Sequence, residues 1–321
     1  MKIPENITAR EIEQEKTGIS MTWANDGHKS FYSWGWLQAR NDNPQFPSEL
    51  SLWDASVAQN APTIDYAVVM RSDNGVKQWT SLIRKWGFCY VDGCPVSGEA
   101  TQELIERIAF IRHTHYGGFW QFTADLGLKD SAYTNLALGA HTDTTYFSDP
   151  AGLQTFHLLS HTDGDGGSSL LVDGFKAAET LHRESPEAYE TLCRVKIRGH
   201  ASGNEKVKFM TDLAYPVLAT SETRSGEARL RQVRWNNDDR AALVARDPDE
   251  IARFYKAARK WVEILRRPEM EYWEQLKPGR PLIFDNWRVL HGRSAFSANM
   301  DDFISRWKTL TFSQEEITNS V

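Results

Sequence analysis

The sequence predicts a mainly β protein with flanking helices, arranged as a sandwich or barrel behind a small lead-in domain. Three observations carry this expectation. Past Tyr133 the chain runs in short apolar stretches interrupted by Gly and Asp, as closely spaced strands do. Helical periodicity is confined to a few segments. Residues 1–60 are polar and punctuated by turn chemistry from Asn41-Asp42-Asn43-Pro44 to Pro47, which sets them apart from a main domain over 61–321.

In chain order, apolar residues recur at helical spacing from Ser72 to Trp86 and again from Ser97 to His113. Leu104, Ile105, Ile108 and Ile111 share a face in the second segment, with Ser97 as its N-cap. Phe88 to Val91 reads as a short strand between them. The runs 136–140, 152–159, 169–172, 233–235 and 282–284 read as further strands. One long helix interrupts this series. Asp247 caps it, Pro248 opens it, and Ile251, Phe254, Tyr255, Ala258, Val262 and Leu265 form the face expected to buttress the outside of a sheet.

Composition narrows the function. With 321 residues, 40% hydrophobic and 25% charged, the chain is globular rather than disordered or coiled-coil. The formal charge of -6 and the absence of a basic cluster argue against a nucleic-acid partner. No stretch approaches the roughly 20 apolar residues of a membrane span. Met1 to Ser20 is polar, without the apolar core of a secretory signal, so a cytoplasmic location is expected. Cys89, Cys94 and Cys193 are too few and too irregular for a disulfide framework, which suits a reducing compartment. Twelve Trp and ten Tyr exceed ordinary usage; most belong in a core, and the remainder suggests an aromatic-lined pocket.

His141-Thr142-Asp143 alternates along a strand, so His141 and Asp143 point to one side and can share a metal ion. A third ligand must come from elsewhere. His291 is the best-placed candidate, because it closes the run Leu282 to Leu290 and precedes Gly292, where the backbone can turn. Two His and one carboxylate on one face of a metal leave three positions open, as in non-haem Fe(II) oxygenases. On its own, His-x-Asp is a weak signal. His113, His115, His157 and His161 are read as packing or surface residues.

Longer motifs surround these residues: Asp130 to Tyr133, His141-Thr-Asp-Thr-Thr-Tyr146, Gly166 to Gly174, Trp235-Asn236-Asn237, and Phe284 to Arg293. Together they resemble trimethyllysine hydroxylase and, more distantly, γ-butyrobetaine hydroxylase, over about Asn25 to Arg293. The resemblance implies a double-stranded β-helix (jelly-roll) catalytic domain that uses Fe(II), 2-oxoglutarate and O2. It assigns the iron to His141, Asp143 and His291. It also implies an Arg for the distal carboxylate of 2-oxoglutarate, which a guanidinium grips through two parallel hydrogen bonds. Arg293 lies too close to His291, whereas Arg306, in Ile304-Ser305-Arg306, matches the Ile-Ser-Arg pattern of γ-butyrobetaine hydroxylase. Ser169 occupies the place where relatives put a hydroxyl against the same carboxylate.

In these hydroxylases a quaternary ammonium sits among aromatic faces, each contributing about 0.5 to 2 kcal/mol. Tyr116, Trp120 and Tyr133 match three cage positions, and Phe312 stands where the fourth is normally Tyr. Asp130 matches a residue facing the substrate α-ammonium, and Asn236 matches a contact to the substrate carboxylate, so a free α-amino acid is the expected substrate. Leu310 replaces a Gly beside the cage. A side chain of that size shortens the pocket, which favours a compact amino acid such as valine, hydroxylated or closed to an aziridine in a secondary-metabolism branch. Trimethyllysine 3-hydroxylation is the alternative. From a different class, a jelly-roll binding protein without turnover is the rival, and a zinc hydrolase could use the same three ligands. The expected partners are a small amino acid and a second copy of the chain, as a homodimer.

Overall fold

The computed structural model describes residues 6–41, 50–123, 136–160, 166–202, 208–222, 228–244, 247–296 and 305–311. The chain divides into two compact units, Met1–Glu49 and Leu50–Val321. In the smaller, β1 (Ala9–Gln14), β2 (Gly18–Trp23) and β3 (Lys29–Ser33) form an antiparallel sheet with β2 central, followed by α1 (Trp34–Asn41). The segment from Leu50 to Asn60, grouped with the lead-in by its sequence texture, packs with the larger unit. Trp53 is 5% exposed, its ring lies 5.1 Å from Phe88, and its indole N–H donates to the Trp86 carbonyl at 2.6 Å.

The larger unit begins with β4 (Thr63–Asp65), α2 (Tyr66–Arg71), α3 (Asp73–Trp86), β5 (Phe88–Asp92), α4 (Gly98–Glu106) and β6 (Trp120–Thr123). Next come β7 (Leu138–His141), β8 (Leu153–Ser160), β9 (Ser169–Asp173), α5 (Gly174–Glu184) and α6 (Pro186–Arg194). Six short strands follow: β10 (Lys196–Ile197), β11 (His200–Ser202), β12 (Lys208–Met210), β13 (Tyr215–Pro216), β14 (Leu218–Glu222) and β15 (Ala228–Val233). The series closes with α7 (Pro248–Leu265), β16 (Tyr272–Glu274), β17 (Leu282–Asp285), β18 (Val289–Arg293) and β19 (Ser305–Thr311). Two sheets make the jelly roll: six strands in the order β4-β5-β17-β8-β19-β6, and four in the order β16-β9-β18-β7.

Strand alternation sorts side chains between three cores. Phe88, Tyr90, Leu158, Leu171, Phe284 and Val289 fill the space between the sheets. Their neighbours Cys89, Val91 and Ile283 face outward onto α3 and α4, against Trp79, Ile83 and Leu104. Leu170, Val172 and Leu290 face outward from the smaller sheet onto α5, α6 and α7. Among the described residues no helix is long and apolar enough to cross a membrane.

Helix caps follow the sequence. Ser72 accepts from Gly75 N–H, Ser97 from Ala100 N–H, and Asp247 from Asp249 N–H with Pro248 at the first position. Two expectations are corrected. The helix starting at Ser97 stops at Glu106 rather than His113, and Phe110 beyond it is 70% exposed. Without a surface to bury the next turns, propensity alone does not extend a helix. The buried face of α7 is Phe254, Ala257, Ala258, Trp261, Ile264 and Leu265, rotated from the expected stripe. Trp261, the largest of these, sets that rotation, and Tyr255 turns out to meet the Arg240 guanidinium at 5.3 Å.

A buried histidine ties the helical layer to the sheet. His157 on β8 is fully buried; its Nε2 accepts from Gly279 N–H at 3.1 Å, so its proton sits on Nδ1, 2.6 Å from Thr101 Oγ1. The Thr101 hydroxyl passes its own proton to the Ser97 carbonyl at 2.7 Å. Burial pushes the His157 pKa down to about 4 from the ordinary imidazole value of 6.5. The unfolded chain therefore takes up this proton first as pH falls. The contribution is complete above pH 6.5 and lost progressively between 6.5 and about 4, on the order of 3 kcal/mol in all. His157→Gln should flatten the fall in urea midpoint between pH 7 and pH 4.5 relative to wild type. Equal slopes would mean that His157 is not the titrating group.

Candidate active site

The antiparallel register of β18 on β7 sets His291 directly opposite His141. Opposed residues in such a pair project to the same face, so both imidazoles enter the space between the sheets. Gly292 permits this pairing, but by close approach rather than by a turn: a Cβ there would sit 2.4 Å from the Leu138 carbonyl oxygen. Asp143 follows two residues after His141. Its Oδ1 lies 3.4 Å from His141 Nε2 and its Oδ2 lies 3.4 Å from His291 Nε2. The imidazole centroids are 4.4 Å apart, and one donor atom from each of the three residues lies within 4.8 Å of the others.

Neighbouring groups orient each member. His141 Nδ1 sits 2.8 Å from the Gly139 carbonyl, which can only accept, so Nδ1 carries a proton and Nε2 is the nitrogen turned toward Asp143. His291 is 5% exposed, flanked by the rings of Phe284 at 4.9 Å and Phe156 at 5.4 Å. Burial, and secondarily His141, holds its pKa well below the ordinary value, which keeps the imidazole neutral.

Asp143 is held at three points. Its N–H donates to Asn286 Oδ1 at 2.8 Å, its carbonyl accepts from Asn286 Nδ2 at 3.2 Å, and its Oδ2 accepts from Gln154 Nε2 at 2.9 Å. The next residue, Thr144, has φ 57° and is the one non-Gly residue with positive φ among those described. A β-branched residue is strained there and persists only where its surroundings over-determine it. Here Thr144 Oγ1 accepts from Ala151 N–H at 2.9 Å, while Arg234 donates to the carbonyls of Thr145, Phe147 and Ser148.

The donor set suits a divalent metal. A neutral His141 with its proton on Nδ1 turns its Nε2 lone pair toward a carboxylate oxygen at 3.4 Å, two acceptors with no proton of their own to share. A cation between them removes that repulsion. Cis donors around a metal with bonds of about 2.1 Å stand about 3 Å apart, close to the separations present.

Other expected residues are placed more sparsely. Ser169 opens β9 opposite Arg293, is 3% exposed, and its Oγ has no hydrogen-bond partner. Burial brings the Arg293 pKa down to about 10, and its guanidinium lies 4.8 Å from the Phe296 ring. The Tyr116 ring lies tilted against His115 at 3.9 Å, and His115 in turn meets Tyr146, Phe147 and Phe209. His115 thus joins an aromatic cluster that continues from the Tyr116 position. Asn236 is engaged locally, accepting from Asp238 and Asp239 N–H and donating to Asp239 Oδ2 at 2.8 Å. In backbone register Trp120 lies opposite Lys308, Arg306 opposite Leu158 and Leu310 opposite Gln154. Asp130, Tyr133 and Phe312 lie outside the described residues.

Residues 49–307 match the model of the taurine catabolism dioxygenase TauD, TfdA family. The chain belongs to that family. A trimethyllysine dioxygenase of Neurospora crassa is 45% identical over 98% of this chain and 76% of its own length. The mitochondrial trimethyllysine dioxygenase of Homo sapiens is 38% identical over 91% and 69%. The solved structure of PvcB, described as an Fe, alpha-ketoglutarate dependent oxygenase from an isonitrile synthetic pathway, superposes with a TM-score of 0.53 at 18% identity, covering 80% of this chain and 84% of that one. As a TauD-family member of the trimethyllysine and γ-butyrobetaine hydroxylase type, the protein is a dioxygenase that uses Fe(II), 2-oxoglutarate and O2.

Two residues around the TauD-family centre escaped the sequence analysis. Asn286 lay inside a recognised motif without a role. Gln154 carried a signal of its own, a polar residue with the same strand parity as Phe156 and Leu158 in an apolar run. Asp143→Ala leaves two neutral imidazoles, which do not hold Fe(II) in a three-point facial arrangement. Succinate formation should fall below a few per cent of wild type, under the level that losing an outer hydrogen-bond partner leaves. Retained turnover would remove Asp143 from the metal.

Proposed function

We propose that this enzyme hydroxylates trimethyllysine, with His141, Asp143 and His291 holding the iron. The observation that carries the reading is 45% identity, over nearly the whole chain, to a trimethyllysine dioxygenase. Bound iron supplies the oxidation of an unactivated C–H bond by O2, coupled to decarboxylation of 2-oxoglutarate. Everything else falls to the protein, which binds, orients and excludes water.

Arg306 and Ser169 take the distal carboxylate of 2-oxoglutarate. Support for Ser169 comes from its buried hydroxyl, which has an unused donor on the face shared with His291. Tyr116, Trp120, Tyr133 and Phe312 surround the trimethylammonium group, which cannot donate a hydrogen bond and is held by ring quadrupoles. Asp130 faces the α-ammonium. Asn236 keeps a second amide N–H for the substrate carboxylate beyond its bond to Asp239. Phe156 and Phe284 flank His291 with apolar rings and keep water from the metal's protein side. A homodimer in the cytoplasm belongs to the same proposal.

The compact-substrate reading, valine or a similar amino acid, rests on Leu310. Support for it is the backbone register of Leu310 opposite Gln154, whose amide reaches Asp143. The identity to trimethyllysine dioxygenases over nearly the whole chain weighs more than this single residue. Incubation with trimethyllysine and with valine, following succinate and product mass, separates the two. Trimethyllysine should gain one oxygen with kcat/KM at least about tenfold above valine, or roughly 1.4 kcal/mol. Turnover of valine with trimethyllysine inert would overturn the substrate assignment and leave the iron chemistry standing.

A further inference from the structure

We infer that Gln154 is a positioning residue: it holds the Asp143 carboxylate in one rotation, so that Oδ1 alone ligates the metal and three coordination positions stay open. This rests on the metal assignment proposed above.

Gln154 is on β8, within the six-stranded sheet, and is fully buried. Its strand parity is that of Phe156 and Leu158, which turn apolar side chains toward the same interior. A Leu there would pack without a polar penalty. Gln does not: Nε2 donates to Asp143 Oδ2 at 2.9 Å, while Oε1 is buried with no hydrogen-bond partner. The amide orientation follows from chemistry, since an ionised carboxylate only accepts. An unsatisfied buried acceptor is destabilising. A residue that burdens the fold while contacting a single group is explained by what it does to that group.

The backbone around Asp143 is already fixed by Asn286 on both polar groups and by the strained Thr144. Only the side-chain torsions remain, and Gln154 acts on these by donating to the carboxylate. The coordination arithmetic shows why this matters. Carboxylates bind divalent cations through one oxygen or two. Two imidazoles and one carboxylate oxygen leave three positions of an octahedron, enough for a chelating 2-oxo acid and O2. A bidentate Asp143 would consume one of them.

The test uses full-length protein carrying Gln154→Met, which keeps a linear side chain of similar volume and removes the donor. Mn(II) affinity, the visible absorption of the Co(II)-substituted protein and the metal-free melting temperature are read together. The inference expects Mn(II) binding to weaken by about 10- to 100-fold. The Co(II) bands should shift with the change in coordination. The metal-free melting temperature should hold or rise, because an unsatisfied buried acceptor has been removed. Gln154→Asn, which keeps the amide but draws it back by one methylene, should reproduce the metal phenotype and serves if the Met variant does not fold. Unchanged Mn(II) affinity and Co(II) bands in both variants would overturn the inference. So would a lowered melting temperature with unaltered bands, the mark of a purely structural role. Asp143→Ala distinguishes the two levels: if it retains full Mn(II) affinity, the metal assignment fails; if it loses binding while the Gln154 variants keep it, only the role of Gln154 fails.

Discussion

The amide of Asn286 binds both backbone polar groups of Asp143, with its carbonyl oxygen 2.8 Å from the N–H and its nitrogen 3.2 Å from the carbonyl, and also donates to the Ala151 carbonyl at 2.9 Å. Asn286 stands in the turn between β17 and β18, so the strand carrying His291 and the segment carrying Asp143 are joined within a few residues of both side chains. Arg288 anchors the same turn. Its guanidinium pairs with Asp173 at 2.7 Å and donates to the carbonyls of Lys85 and Ser51, while the Asp173 carboxylate also accepts from Trp53 N–H and caps α5. Both charges of this pair are essentially unexposed. Breaking such a pair from one side destabilises by about 3 to 5 kcal/mol, because the other charge stays buried and unpaired.

That rigidity has a chemical use. Facial coordination needs three donors held before the ion arrives, and an apolar surround keeps the His291 imidazole neutral with its lone pair available. Asn286 and Gln154 are fully buried and hydrogen-bond Asp143, while the buried Arg288–Asp173 pair braces the turn that carries Asn286. Elsewhere the space between the sheets is filled by aromatic and aliphatic side chains. Low dielectric strengthens each of these hydrogen bonds and makes each lost partner more damaging.

Much of this was legible from local pattern. Parity along a strand placed His141 and Asp143 on one side, and cap chemistry located Ser97 and Asp247, because these signals depend on nearest neighbours. Pairings distant in sequence were less accessible. Nothing in the run around Val289 states that His291 will sit opposite His141; that follows from the register of β18 on β7. The helices α5 and α6 went unassigned even though Asp173 caps the first and Pro186 opens the second, since Gly174, Thr180 and Thr191 weaken the apolar periodicity. The face of α7 was misjudged because the buried stripe is decided by where Trp261 fits against α5 and α6. Gln154 was visible only as an oddity until Asp143 was seen beside it.

The account stands on one claim, that His141, Asp143 and His291 form a single iron site that 2-oxoglutarate completes. Anaerobic titration of the metal-free protein with Fe(II) and then 2-oxoglutarate tests it most directly. One equivalent of each should produce a weak visible charge-transfer band, absent from Asp143→Ala and from protein given zinc instead of iron. No band in the wild type, or an equal band in Asp143→Ala, would contradict the account.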